Sequence, residues 1–469
     1  MPDCVKLIDS LARFPNLGIV SLAGCLTNHE VRVLDLVTCR GKVEKTISEL
    51  INEFKPELVG LSAMTFQFDT LMKIAALIKG IQPEIRIAAG GYHVSLLYDE
   101  LIESKHVFEN LDYLVRGEGE FTFAELVSSL ENGNASDMSE VAGLSWKSKS
   151  GWKHNKDREL ADLEKIPLPA RDRRISKEFY FLNNRNYPVD VIETSRGCPF
   201  NCKFCCITQM YGRVFRKYPV GRVVNDIRNI RAHGIKGIFI TDDNITCDIQ
   251  HLKELCNAII DHGLNDILFM VQVTAAGLAA NPDLVELMSR ANFRIVFVGF
   301  ESMNPATLKE MSKPTSPETN RKTARLLREN KIGIIASIIV GHPGDDRGSI
   351  SENFRNIRTL HPDIIYPLYL TPYPKTKIRE ELLKEGLVVN IDDYSRYDCF
   401  SSCNVKTRHL SQKEVFVCLR KEMLHDFFDP KHLSQNYFLK TWGFSFVRAI
   451  AHNLLRTLLD IVFGSGRSR

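Results

Sequence analysis

The sequence predicts an α/β protein made of two successive βα series. The first is a parallel sheet with helices on both faces, the second a partial (β/α)6 barrel of the TIM type, and a helical region follows. Three observations predict this. Short aliphatic runs alternate with helix-spaced segments between residues 31 and 117, the rhythm restarts near Pro188 with six further units, and it stops near Cys399. Alternation of strand and helix patterns implies parallel sheets covered by helices.

In the first series "VRVLDLV" (31–37), "LVGLSAM" (58–64), "IRIAAGG" (85–91) and "LDYLVRG" (111–117) read as strands. "KVEKTISELINEF" and "DTLMKIAALIKGI" carry apolar residues at helical spacing between them. "GLSWKSKSGWKH" (143–154) reads as a hairpin turning at Ser-Gly, a small β appendix. "EKIPLPARDRR" (164–174), with Pro167 and Pro169, reads as a linker. The second series has strand candidates "VDVIETS", "IKGIFIT", "ILFMVQVT", "RIVFVGFE", "IGIIASIIVG" and "DIIYPLYLTP", separated by segments such as "RVVNDIRNIRAHG" and "NRKTARLLRENK". The expected units are residues 1–140, a hairpin and linker at 141–184, the barrel at 185–398 and helices at 399–469.

Composition is that of a folded globular protein, with 44% apolar and 25% charged residues in a chain of 469. A net charge of +4 is too small to point to nucleic acid. No signal peptide is visible, and no apolar run reaches the roughly 20 residues that a membrane span needs. Twelve cysteines without a secretion signal suit a reducing, cytoplasmic compartment. Of these, Cys4, Cys25, Cys39, Cys247, Cys256 and Cys418 read as small buried hydrophobes. Residues 401–469 hold 11 Lys/Arg against 5 Asp/Glu, and Arg448, His452, Arg456 and Asp460 form one polar stripe on an apolar helix. That helix is expected to pack on the barrel; peripheral membrane contact is the alternative.

The first barrel strand runs into "TSRGCPFNCKFCC", in which Cys198, Cys202 and Cys205 are spaced C-x3-C-x2-C. A structural zinc site needs four ligands, commonly two separated pairs, and no second pair follows nearby. "CFSSC" (399–403) has no partner pattern and reads as structural, and Cys206 directly follows Cys205. Three thiolates can hold three irons of a 4Fe–4S cluster and leave the fourth open to an external ligand.

This motif, with Phe204 before its last cysteine and a βα series behind it, resembles the signature of the radical S-adenosylmethionine (radical SAM) superfamily. The resemblance implies a 4Fe–4S cluster on Cys198, Cys202 and Cys205 whose open iron binds SAM. It also implies reductive cleavage of SAM to methionine and a 5′-deoxyadenosyl radical. It places Asp242 and Asp243, in "FITDDNIT", near the methionyl amino group, an arrangement that ammonium–carboxylate hydrogen bonding would favour. Asn244 beside them reads equally as a helix cap. Gln272 and Thr274 would face the nucleoside, with barrel filler as the alternative. Glu301 in "VGFES" resembles a segment near SAM, and Gly341 and Gly344 in "IIVGHPGDD" would admit adenine, a Gly-Pro turn being the other reading.

The first series resembles the flavodoxin-like (Rossmann-like) domain of the branch in which a cobalamin-binding domain precedes the barrel. Ser62 in "GLSAM" and Gly90-Gly91 in "IAAGGYHV" carry that likeness, together with "FPNLGIVSLAG" (14–24) and "DYLVRGEGEFTFAEL" (112–126). The D-x-H-x-x-G motif that supplies a histidine to cobalt is missing, and His29 and His93 read as surface or sheet-edge residues. Cobalamin without a protein histidine below it is therefore expected. The likeness implies a methylase, or alternatively radical cyclisation, rearrangement or oxidation of a lipid or tetrapyrrole-like substrate; a non-catalytic binding module is the third reading. A flavodoxin or ferredoxin would supply the electron. Tyr211 and Tyr218, near the cluster, read as packing residues or as proton donors.

Overall fold

The computed structural model describes residues 12–133, 137–176, 180–182 and 187–428, together with Asn436 and Leu439. The N-terminal sheet has five strands in the order Leu58–Ser62, Arg86–Gly90, Tyr113–Val115, Leu144–Ser148 and Gly151–His154. The first three are parallel and the last two antiparallel. Helix Phe68–Ile81 covers this sheet with Phe68, Leu71, Met72, Ala75 and Ile78, a stripe at three- and four-residue spacing.

Residues 31–37 form no strand. Val33 makes a single bridge to Arg174, and Leu36–Cys39 is a 3-10 turn. Asp35 interrupts the extended run, because its carboxylate accepts the Val37 N–H at 3.2 Å and the Tyr180 hydroxyl at 3.0 Å. Nor does the 143–154 hairpin stand apart. It pairs with Tyr113–Val115 and continues the sheet.

Segment 164–174 is held against the barrel by buried charges and is not a solvated linker. Arg171 forks onto Asp226 at 2.5 and 3.1 Å and donates to the Val191 carbonyl at 2.7 Å. Arg174 forks onto Asp190 at 2.7 and 3.1 Å. Planar guanidinium groups suit such two-pronged contacts.

All six expected barrel strands form: Tyr187–Ile192, Gly237–Ile240, Leu268–Thr274, Phe293–Glu301, Gly333–Val340 and Ile364–Tyr369, parallel and adjacent in chain order. Two short strands, Phe181–Leu182 and Ala12–Arg13, extend the open edge in antiparallel fashion. Val189, Leu268, Met270 and Ile295 join Ala12, Tyr180 and Leu182 in one apolar cluster, which closes the end of the barrel where the strands begin. A larger core fills the layer between strands and outer helices. The open face is therefore at the strand C-termini, where this architecture places its chemistry.

Helix Gln412–Phe428 packs back on the barrel through Val415 and Leu419. The polar stripe Arg448, His452, Arg456 and Asp460 lies outside the described residues. Among the described residues no helix is long and apolar enough to cross a membrane.

Candidate active site

The cysteine loop leaves the end of the first barrel strand and returns through a small ladder of Ser195–Arg196 with Arg216–Lys217. Gly197 opens it with φ +87°, and a Cβ there would meet the Val214 carbonyl oxygen at 2.4 Å. Only glycine fits that combination of hand and space. Cys198, Cys202 and Cys205 follow as half-buried free thiols on this one loop. Phe204 packs against the barrel core just before the last of them. The Asn244 amide reaches the Cys198 sulfur at 3.8 Å, and its oxygen accepts the Thr246 N–H as a cap of the next turn. A hydrogen bond from Cys247 holds Cys198 below the ordinary thiol range and pushes Cys247 up. Burial raises Cys202 to about 11 and also raises Cys205.

One residue legible only in the structure, Lys313, completes this corner with the expected Glu301. Lys313 is buried and donates to Glu301 Oε1 at 2.7 Å. Burial opposes its charge, but Glu301 and the thiols of Cys202 and Cys205 raise it above the ordinary lysine value. Glu301 itself has φ +61° at a bulge where the fourth strand shifts register after Gly299. A Cβ on Gly299 would meet Glu301 Oε1 at 2.6 Å and Lys313 Nζ at 2.9 Å, so the pair occupies the space above that glycine.

Asp242 and Asp243 diverge. Asp242 is fully buried, and its oxygens accept Thr194 N–H at 2.6 Å, Thr194 Oγ1 at 2.5 Å and Ser195 Oγ at 2.5 Å. It ties the second strand to the first. Burial pushes its carboxyl up to about 6. Asp243 is half-buried, accepts the Gly197 N–H at 2.8 Å and is likewise raised to about 6 by burial.

Gln272 is the one exposed side chain in Leu268–Thr274, so the inner face is open at this level. It lies opposite Phe297, whose ring meets Tyr366 at 5.0 Å, and Tyr366 in turn meets Phe400 at 4.8 Å. Ser337 pairs in register with Tyr366. Thr274 instead turns its hydroxyl to Thr246 at 2.9 Å. Gly341, with φ +99°, backs onto Val405, which a Cβ would meet at 3.0 Å. Val405 belongs to the chain's own C-terminal segment, while Gly344 has open space. Tyr218 is buried, with its hydroxyl on Glu193 at 3.2 Å and Arg222 over its ring at 4.0 Å. It is a packing residue.

Ser62 and Gly90 end neighbouring strands as register partners. Gly91 follows with φ +98°, where a Cβ would meet the Ala63 carbonyl oxygen at 2.5 Å and Ser62 Oγ at 3.1 Å. Tyr92 comes next. The helix it opens packs against helix Ile207–Tyr211, which follows the cysteines, and Tyr92 lies near Tyr211, Asp243 and Cys206. The glycine edge of the first sheet and the cysteine loop of the barrel therefore adjoin. His29 is held by Glu131 at 3.4 Å. His93, read from sequence as a surface or sheet-edge residue, is 1% exposed, with its ring against Phe68 at 4.4 Å and Tyr394 at 5.1 Å.

The donor set suits an iron–sulfur cluster. Three thiols on one loop stand beside a buried cation that offsets their charge as thiolates. Among the described residues no three Cys, His, Asp or Glu side chains gather as a single ion requires, a condition that a cluster binding each thiolate on its own iron does not impose. The edge at Ser62, Gly90 and Gly91 carries no bulky side chain and suits close approach of a nucleotide tail.

A partial parallel barrel with a three-thiol loop after its first strand thus adjoins a sheet with a glycine edge, two candidate cofactor sites on one chain. Residues 192–357 match the radical SAM superfamily, and residues 6–127 match the B12 binding domain. The chain belongs to the radical SAM superfamily, in the branch that carries a cobalamin-binding domain. It is 27% identical over 447 residues to an uncharacterized methyltransferase of Pyrococcus horikoshii, covering 94% of each chain. It is 26% identical over 392 residues to the anaerobic magnesium-protoporphyrin IX monomethyl ester cyclase of Synechocystis, covering 81% of this chain and 75% of that one. Its fold is similar to that of OxsB, a cobalamin-dependent S-adenosylmethionine radical enzyme, with a TM-score of 0.70 at 17% identity, over 97% of this chain and 71% of that one.

Proposed function

We propose that this protein is a cobalamin-dependent radical SAM methyltransferase that methylates an unactivated carbon of a small organic molecule. The observation that carries the proposal is the packing of helix Tyr92–Leu101, which starts one residue beyond the Gly90-Gly91 edge, against helix Ile207–Tyr211 behind the cysteine loop. It sets two cofactor sites against one space, as transfer of a group between them requires. The near full-length likeness to a methyltransferase supports the same reading.

When bound, the cluster would supply the electron that cleaves SAM, and cobalamin would supply the methyl group. Cys198, Cys202 and Cys205 would hold the cluster. Lys313, paired with Glu301, would offset its negative charge and stand ready for the carboxylate of SAM. Asp243 would accept from the methionyl ammonium, a role Asp242 cannot share while it bridges Thr194 and Ser195. Ser62, Gly90 and Gly91 would receive the cobalamin tail. The substrate would enter over Gln272, Phe297, Ser337 and Tyr366, a wall of rings with hydrogen-bonding groups and no charge. A low-potential one-electron carrier, a flavodoxin or ferredoxin, would reduce the cluster.

The test is anaerobic reconstitution with cobalamin, reductant, methyl-deuterated SAM and an extract of small molecules and lipids, read by mass spectrometry. 5′-Deoxyadenosine together with S-adenosylhomocysteine, and deuteromethyl in one component of the extract, is the expected result. 5′-Deoxyadenosine alone would replace methylation by the cyclisation or oxidation chemistry that the cyclase relative's name describes.

A further inference from the structure

The segment "RGEGE" (116–120) opens helix Gly119–Glu131 and belongs to neither cofactor site as drawn above, yet its two glutamates are buried. They take up the base of the cysteine loop. Arg196 and Arg216 are register partners in the ladder that closes the loop, and both reach Glu118 Oε1, at 3.0 and 2.7 Å. Arg196 also reaches Glu120 at 2.6 Å and Glu193 at 2.7 Å. Each carboxylate has a second tie of its own: Glu118 accepts the Ala161 N–H at 2.7 Å and Glu120 the Ser21 hydroxyl at 3.0 Å. The side chains of Arg196, Glu118 and Glu120 are 9%, 5% and 7% exposed.

Charges this deeply buried do little for net stability, since an apolar cluster of similar volume serves as well or better. What they do fix is direction. A guanidinium fork holding three carboxylates tolerates one orientation of each. Helix Gly119–Glu131 follows strand Tyr113–Val115, which pairs with Arg86–Gly90, so Glu118 is rigidly referred to the Gly90-Gly91 edge. Arg196 lies two residues before Cys198. One ion cluster therefore links the helix behind the glycine edge to the chain two residues before the first cluster thiol.

We propose that Arg196 and Glu118 are positioning residues: they fix the offset of the cysteine loop from the Ser62–Gly91 edge, and with it the separation of the iron–sulfur and corrinoid sites. This rests on the function proposed above. The test is pulsed electron paramagnetic resonance of the reconstituted holoprotein, with the cluster reduced and cobalamin in its Co(II) state. The dipolar coupling between the two paramagnets reports their separation without turnover.

Wild-type protein is expected to show one defined coupling. Arg196→Lys keeps the charge but cannot reach three carboxylates, and Glu118→Gln keeps the shape but loses the charge that both arginines share. Both are expected to retain iron and cobalamin at wild-type stoichiometry while the defined coupling is lost to a broad distribution. Wild-type coupling in both fully loaded variants would overturn the inference alone. Loss of a cofactor from both would overturn it too, by making the cluster a folding element. A wild-type protein that takes up iron but no cobalamin would overturn the function proposed above and this inference with it.

Discussion

Lys313 donates to Glu301 at 2.7 Å inside the barrel mouth, with both side chains less than a tenth exposed, and the same ammonium faces the thiols of Cys202 and Cys205. Removing one partner of a buried pair leaves the other charge without compensation, at a cost of about 3–5 kcal/mol. Lys313→Met is therefore expected to lower stability by about that amount and to reduce iron incorporation, since the thiolates lose their nearby cation. Denaturant unfolding and iron analysis check the two effects separately. A variant with wild-type iron content and stability would show that the ammonium has no part in the site.

Four of the thiols near the strand end, Cys198, Cys202, Cys205 and Cys247, should separate cleanly. Cys202→Ala is expected to lose the cluster and with it all SAM cleavage, as are Cys198→Ala and Cys205→Ala. Cys247 lies against Cys198 but precedes a different helix, and Cys247→Ala is expected to keep the parent iron content and cleavage rate. Iron and sulfide analysis with 5′-deoxyadenosine release decides it. Iron loss in Cys247→Ala would place a fourth thiolate in the cluster site.

Asp242 and Asp243 are adjacent in sequence and opposite in expected behaviour. Asp242→Ala removes an acceptor of three hydrogen bonds, and hydrogen bonds to a charged group contribute about 1.5–3 kcal/mol each. Destabilisation by at least about 3 kcal/mol is expected in the protein before any cofactor is added. Asp243→Ala gives up only the Gly197 N–H and should unfold close to wild type while binding SAM more weakly. The checks are unfolding curves and SAM titration of both variants. If Asp242→Ala unfolded like wild type but bound SAM poorly, the tie between the strands would not be its role.

The barrel was legible because each of its strands is a run of aliphatic residues bounded by polar turns, and the cysteine loop because three thiols need no tertiary context to be noticed. Side chains whose meaning comes from distant partners were not. Arg171 sits in a charged, proline-containing stretch that reads as solvated chain, and its partner Asp226 is 55 residues away. Lys313 lies in "MSKPT", which reads as a polar turn until the fold brings Glu301 to it. Residues 31–37 have the apolar content of a strand, but the choice was made by Asp35, which caps a turn with its side chain. At Gly341 the need for glycine was visible in the sequence, while Val405, packed against its Cβ position, was not.

His93 supplies a prediction in pH. Burial between Phe68 and Tyr394 lowers its pKa from 6.5 to about 4. Between those values the unfolded chain binds a proton that the folded chain excludes, so stability rises with pH across this window. The full contribution is present above pH 6.5 and is lost as pH falls toward 4, roughly 3 kcal/mol in all. His93→Phe keeps an aromatic ring in the site and removes the proton, so its stability should lack this component of the slope between pH 4 and 6.5. Parallel denaturation series on the two proteins measure the difference directly. Equal slopes would mean that the folded protein admits the protonated imidazole between Phe68 and Tyr394.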